Sequence, residues 1–332
     1  MLLLSRRGDI IMSPVVITTQ QKLVQLREQV LSGNLYQGLP QQVGQLIEKL
    51  PTLPETEWQP LSDNQASLEA IKQLHEQVIV GHEPIEVTQI DFLLTHLKSL
   101  NPLVRDKGVY FLFNDLIQTQ AFTTAQLRQI KDRLITPETL FDHILEPQNN
   151  VVFQRSFSVL LLSVILYTDR MRDHFLTKSE LKEINITLAT YTALESDGRG
   201  YVDQYGWAHA FTHIGNAFSE LAQSKVLVRG DKIFLLVVLL ERYKRLNTSL
   251  IFGEPERLAW AMINLVNQDP LYRDYLLLML KNWQHDLAML RPKKHYDFWV
   301  RWYNRSRLLQ ALYLRPDTPA ALKDYLQQML DL

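Results

Sequence analysis

The sequence predicts an all-α protein built of HEAT-like stacked helical hairpins, an α-α superhelix. Apolar residues recur at helical spacing along nearly the whole chain, and alternating strand patterns bounded by turn residues are scarce. A helix-opening motif also occurs twice, as Asn101-Pro102-Leu103-Val104-Arg105-Asp106 and as Asp269-Pro270-Leu271-Tyr272-Arg273-Asp274. In both copies Asn or Asp can cap a helix, and Pro follows at the first helical position, where its missing N–H costs nothing. The separation of the copies is about four units of a helical hairpin of roughly 40 to 47 residues. Stacking of such units buries a continuous core.

Taken in chain order, Leu23, Leu26, Val30 and Leu31 mark a first amphipathic helix, and Leu68, Ile71, Leu74 and Val78 mark another. Between them, Pro51 to Pro60 holds three prolines around Trp58 and is the best candidate boundary, although it reads more easily as a long inter-helix loop. Thr177-Lys178-Ser179-Glu180 has capping-box spacing and opens a helix reaching about Glu195. A bent loop from Asp197 to Gly206 leads to a helix beginning near Trp207. Phe252-Gly253-Glu254-Pro255-Glu256-Arg257 opens another, with Pro255 in the first turn and acidic residues favoured by the helix dipole. Asp317-Thr318-Pro319 places cap residues before a proline at the last helix start. The expected organisation is an extra or unstructured segment 1–12, a helical region 13–100, and a helical-repeat region 101–332 continuous with it.

Composition narrows the class. With 332 residues and 46% hydrophobic content the chain can bury a large core. A net charge of -1 gives no global reason to bind nucleic acid or an anionic membrane. The absence of cysteine rules out a disulfide framework, thiol catalysis and Cys-ligated zinc, and it suits a reducing compartment. Met1-Leu2-Leu3-Leu4-Ser5-Arg6-Arg7 has too short an apolar run for an export signal and carries its charges after that run, while Met12 offers a second start. No uninterrupted apolar run approaches the roughly 20 residues that span a bilayer; Ile233 to Leu240 is flanked by Lys232, Glu241 and Arg242. A cytoplasmic protein without membrane contact is expected.

Chemistry concentrates in Asp197-Gly198-Arg199-Gly200-Tyr201, Gly206-Trp207-Ala208-His209 and His213. Two glycines within three residues allow close approach of another group, and Arg199 and Tyr201 supply polar side chains. The loop therefore either holds a ligand or is a plain connection with Arg199 paired to a nearby carboxylate. On the following helix, Trp207, Phe211, Ile214, Phe218 and Leu221 fall on one face, and His209, His213, Asn216 and Glu220 on the other. His209 and His213 stand one turn apart, a spacing that can present two imidazoles to one metal, but no HExxH glutamate accompanies them and no third ligand is evident. The expected assignment is no metal and no cofactor. Glu254 and Arg257 either complete a polar cluster with these histidines or serve helix-start chemistry alone.

The segment 291–307 interleaves Phe298, Trp299, Trp302 and Tyr303 with six Lys and Arg residues against one Asp. That composition fits phosphate contact and base stacking; the alternative is aromatics plugging the core beneath a hydrated cationic face.

These residues resemble an uncharacterised bacterial family of unknown function with a HEAT-like, all-helical fold. The likeness runs through Arg105-Asp106, Val152-Phe153-Gln154-Arg155-Ser156-Phe157-Ser158, Arg199-Gly200-Tyr201, Gly206-Trp207-Ala208-His209-Ala210, His213 and Gly253-Glu254-Pro255-Glu256-Arg257-Leu258-Ala259, covering about residues 100 to 315. The family pattern implies an aspartate one turn after the second histidine, where this chain has Asn216, a neutral amide in place of an anionic ligand or base. The resemblance implies a fold and no activity.

The leading expectation is a binding or scaffold module with a polar pocket on its concave face, lined by Arg199, Tyr201, Trp207, His209, His213, Asn216, Glu254 and Arg257. Its partner is a protein or a small polar ligand. The competing expectation is a hydrolytic or metal-assisted enzyme using the His209 and His213 stripe. Weak nucleic-acid binding through 291–307 is third, disfavoured by the charge balance. Fold alone does not decide among them.

Overall fold

The chain is all-α in the computed structural model, which describes residues 3–4, 10–11, 13–62, 64–289 and 295–330. Most of segment 1–12, with Met12, lies outside the described residues, as do Arg291, Lys293 and Lys294 of the basic segment.

After a two-strand pairing of β1 (Leu3–Leu4) with β2 (Ile10–Ile11) come α1 (Pro14–Leu31), α2 (Leu39–Glu48), α3 (Asn64–Leu74) and α4 (Val87–His96). The chain continues through α5 (Phe111–Gln118), α6 (Thr124–Leu134), α7 (Pro137–Leu140), α8 (Val152–Thr168) and α9 (Lys178–Leu194). A short hairpin of β3 (Tyr201–Val202) and β4 (Gly206–Trp207) precedes α10 (Ala210–Gln223), α11 (Arg229–Tyr243) and α12 (Glu254–Val266). The last helices are α13 (Pro270–Met289), α14 (Tyr296–Leu314) and α15 (Ala320–Leu330). One apolar cluster runs from Val16 on α1 to Leu326 on α15.

The proline-rich segment around Trp58 is a tethered loop. Leu53 N–H donates to Leu145 O at 2.9 Å, and the Thr56 N–H and hydroxyl donate to the Glu146 carboxylate at 3.1 and 2.7 Å.

α8 is buried around nearly its whole circumference and packs against α6, α7 and α10. With the π-helical turn Asp169–Asp173 it forms a stretch, Val152–Arg172, long and apolar enough by length and composition to cross a membrane, yet 83% of its most apolar window is buried inside the fold. A helix apolar on all sides is satisfied in just this way at the centre of a large core. α10 lies against both α8 and α12, so the segment entering α10 is held between the central helix and the start of α12.

Helix starts follow their sequence chemistry in most places. Thr177 Oγ1 accepts the Glu180 N–H at 3.2 Å while the Glu180 carboxylate accepts the Thr177 N–H at 2.8 Å, the reciprocal capping box expected there. The repeated motif also folds alike in its turn, with Asn101 Oδ1 accepting Leu103 N–H at 2.9 Å and Asp269 Oδ1 accepting Leu271 N–H at 3.0 Å. The copies then diverge. Arg105 is fully buried in a π-helical segment, Leu103–Tyr110, whereas Arg273 remains partly exposed on regular α13. At the last helix the expected cap is corrected: the Thr318 hydroxyl donates backward to Leu312 O at 2.6 Å, closing the α14 end. On α14 the aromatics do not plug the core as one alternative had it, because Trp299 and Tyr303 remain about half exposed while Leu308, Leu309 and Leu312 fill the interior.

Candidate functional site

The site begins with the polar cluster at the end of α9. Glu195 and Arg155 are fully buried and form a two-pronged ion pair, Nε to Oε2 at 2.9 Å and Nη2 to Oε1 at 3.1 Å. The Tyr191 hydroxyl and the Asp197 N–H, each at 3.0 Å, fill the remaining acceptor capacity of Glu195. Burial alone would raise the Glu195 pKa, but Arg155 outweighs it and holds the carboxyl below its usual range. Burial likewise works against the Arg155 charge, and Glu195 more than restores it. A buried pair with its hydrogen bonds complete fixes geometry, and here it fixes where the next loop starts.

Asp197, itself buried, accepts Arg199 Nε at 2.9 Å and Nη2 at 2.6 Å, and Arg199 Nη2 also donates to Asn149 O at 3.1 Å. The Arg199 guanidinium is thus committed to closing the loop, the plainer of the two readings its sequence allowed.

Gly200 then passes where no side chain fits: a Cβ there would stand 2.6 Å from Glu254 Oε1 and closer still to the Phe252 ring. The chain turns through Gln204 and Gly206, whose φ of +79° glycine adopts without strain, and pairs Tyr201 with Trp207. Ala208 N–H to Gly200 O at 2.8 Å and His209 N–H to Arg199 O at 3.1 Å extend the pairing.

This hairpin corrects the sequence reading of the helix. α10 starts at Ala210, not near Trp207, and His209 is its N-cap with a left-handed φ of +51°. Phe211, Ile214, Phe218 and Leu221 do form the buried face, but Trp207 is 41% exposed. The polar stripe is not a single stripe either. His213 is buried, its Nδ1 bonded to Ser156 O at 2.9 Å and its ring edge-on to Phe157 at 5.4 Å. Burial pushes the His213 pKa down to about 3, with His209, Arg105 and Arg257 adding to the effect, so the ring is neutral. Asn216 faces a separate depression of about 210 Å³ with Glu220, Tyr167 and Trp260. Arg257 is exposed, with its guanidinium over the Trp260 ring at 5.3 Å.

What the fold does bring together is Tyr201, Trp207, His209 and Glu254, joined by Phe252. Trp207 meets the rings of His209 at 4.3 Å, Tyr201 at 4.9 Å and Phe252 at 5.7 Å, all edge-to-face. Tyr201 and Phe252 are also more than two-fifths exposed, so the three aromatics make an open ledge. Beneath it, His209 Nε2 stands 3.8 Å from Glu254 Oε1 with Glu254 almost wholly buried, and neither atom has a hydrogen-bond partner among the described residues. The other Glu254 oxygen accepts Phe252 N–H at 2.9 Å. Burial lowers the His209 pKa to about 4 and raises that of Glu254, so His209 is neutral at pH 7.

Arg105 and Asp106 support the hairpin from behind, a role the sequence did not assign. Arg105 Nη2 donates to Tyr205 O at 2.7 Å and Nη1 to Ser99 O at 2.8 Å, with the Phe153 ring at 4.2 Å and the Phe157 ring at 4.8 Å. Asp106 pairs with Arg105 at 2.7 Å, and a Cβ at Gly206 would come within 3.5 Å of it. The signal in the sequence was the Arg-Asp end of the repeated motif, whose burial no spacing rule reveals.

A helical fold carrying an aromatic, His-Glu ledge on a short hairpin defines an all-α protein with an elaborated connection between α9 and α10. The family model described as protein of unknown function (DUF2785) matches residues 140–314, which contain the α9 terminus, the hairpin, α10 and the start of α12. The chain belongs to that family. No curated protein and no solved structure matches it.

Proposed function

We propose that the chain is a cytoplasmic binding module, with its helices stacked as HEAT-like hairpins, that takes a small polar ligand at the Trp207 ledge on the concave face. The observation that carries this reading is the facing pair of buried atoms, His209 Nε2 and Glu254 Oε1, 3.8 Å apart and without hydrogen-bond partners among the described residues. Buried polar atoms are rarely left so, and each costs about 1–3 kcal/mol while unmet. A ligand hydroxyl placed to one side of the pair, rather than between the two atoms, would come within hydrogen-bond reach of both, accepting from one and donating to the other. The exposed Trp207 ring offers the apolar face of the same ligand a surface to lie on. Both polar atoms are enclosed, so entry requires Trp207 or Phe252 to turn, a motion open to half-exposed side chains.

The hydrolytic reading rests on the same pair, with neutral His209 as general base beside Glu254. His213 contributes to neither reading as a contact, since it is enclosed and bonded to Ser156 O. Among the described residues no group of three His, Asp or Glu side chains is placed to hold one metal ion.

The test is a thermal-shift and tryptophan-fluorescence survey with sugars, polyols and nucleosides, followed by NMR of any ligand that binds. A compound that raises the melting temperature of the native chain and loses that effect in Trp207→Ala supports the binding module. Conversion of the compound, abolished in His209→Ala, supports the enzyme instead. Failure of every compound, or equal shifts in Trp207→Ala, removes the ledge as the site.

A further inference from the structure

A second cavity, of about 630 Å³, opens beside Leu194 and Ser196 at the end of α9. Three arginines line it, Arg242 from the end of α11, Arg245 from the turn that follows and Arg301 from α14, together with Glu48 and Glu55. The arginines are not equally satisfied. Arg245 is neutralised by Glu48 at 2.7 Å and Glu241 at 2.6 Å.

Arg242 is 7% exposed and donates only to two backbone carbonyls, Glu195 O at 2.5 Å and Leu194 O at 3.2 Å. Its Nη1 has no hydrogen-bond partner, and no carboxylate pairs with it, among the described residues. Glu195, whose backbone carbonyl Arg242 meets, has its carboxylate already held by Arg155. Arg301 donates Nε to Asn247 Oδ1 at 2.8 Å and has no ion pair among the described residues. Burial, with smaller contributions from Arg245 and Arg301, lowers the Arg242 pKa to about 10 against the pull of Glu195. Ser196 and Thr248 add hydroxyl groups to the lining, and Leu50, Pro51, Ile144 and Leu145 give it an apolar wall.

A buried guanidinium without a carboxylate is costly unless another anion serves it. We propose that this cavity binds the phosphoryl group of a small phosphorylated molecule, with Arg242 and Arg301 as its cationic contacts. A carboxylate is matched by one two-pronged arginine, whereas a phosphoryl dianion accepts donors from several directions. The volume lies within the roughly 300–1,000 Å³ of small-molecule sites and exceeds what a bare ion fills, so the apolar wall faces the organic part of the ligand.

Calorimetry and thermal shift on the full chain, at constant ionic strength, test this with inorganic phosphate, pyrophosphate and ribose 5-phosphate, with citrate as the carboxylate control and a single-stranded oligonucleotide as the polymer control. The expected result is stabilisation by the phosphate compounds, strongest for ribose 5-phosphate, and about ten-fold weaker binding in Arg301→Gln. Arg301 is exposed, so that variant keeps the fold, as circular dichroism verifies. The proposal is overturned if no phosphate compound binds, if Arg301→Gln binds them equally well, if citrate matches them, or if the oligonucleotide alone binds.

Discussion

His213 shows how far a residue's setting can depart from what its spacing suggests. Its spacing one turn from His209 placed it on a shared polar stripe and allowed a common ligand; in the fold its ring is enclosed, bonded to Ser156 O and uncharged. Both histidines have folded pKa values, about 3 and about 4, below the ordinary 6.5 of the unfolded chain. Between pH 6.5 and about 4 the unfolded chain therefore binds protons that the folded chain refuses. Stability is fully present above pH 6.5 and falls on acidification by about 1.4 kcal/mol per pH unit for each histidine. Glu254, Asp106, Asp197, Asp169 and Glu220 have raised pKa values and act in the opposite sense, since the folded state takes up their protons first. Comparing the native chain with His213→Asn, which keeps a donor near the Nδ1 position, cancels those terms. Urea denaturation from pH 7 to 4.5 is expected to show the two chains parallel near pH 7 and, below about pH 6, the variant losing stability with a slope shallower by about 1.4 kcal/mol per pH unit. Equal slopes would mean that His213 titrates normally. The residue types of the site were legible in the sequence, but their burial was not, because burial depends on what α8 and α12 place against them.

At the level of elements, the capping box at Thr177 and the proline-led starts of α12 and α13 followed directly from local sequence rules. The β3–β4 hairpin did not. Two strands of two residues are too short to show alternation, and the glycines that permit them read equally well as a flexible loop. One missed hairpin displaced the helix start by three residues and moved Trp207 from core to surface, so the error in the site was a consequence of the error in the element. Gly200 is where the hairpin depends most on its sequence. Its backbone lies against Phe252 and Glu254, and Gly200→Ala forces that contact apart. The expected cost is about 1–3 kcal/mol, the range for adding a methyl group to a packed site. A shift in tryptophan emission should accompany it, because Trp207 rests on the same Phe252 ring. Unchanged stability and emission would show that the α12 start yields freely and that the ledge is not rigidly built.

On the scale of the whole molecule, the family match begins at residue 140, yet the helices before it are not an appendage. α1 packs against α9 and α11, and α2 packs against α11, whose residues from Ile233 to Tyr243 are buried on every side. Leu23 of α1 and Leu39, Val43 and Ile47 of α2 are themselves buried. Polar links cross the same boundary: Arg27 pairs with buried Asp231 at 2.6 Å, and the Tyr275 hydroxyl donates to Tyr36 O at 2.7 Å. The anion cavity crosses it too, since Glu48, Leu50 and Thr52 line one side and Arg242 and Arg301 the other. A chain cut to residues 101–332 would expose the apolar face of α11 and leave Asp231 without its arginine. Contiguous apolar patches beyond a few hundred Å² drive association, so the shortened chain is expected to aggregate or to bind a hydrophobic dye strongly, unlike the full chain. Light scattering and dye fluorescence on both chains decide the matter. A monodisperse, cooperatively unfolding fragment would show that residues 101–332 hold their core without the helices before them, and that the packing of those helices serves the cavity rather than the fold.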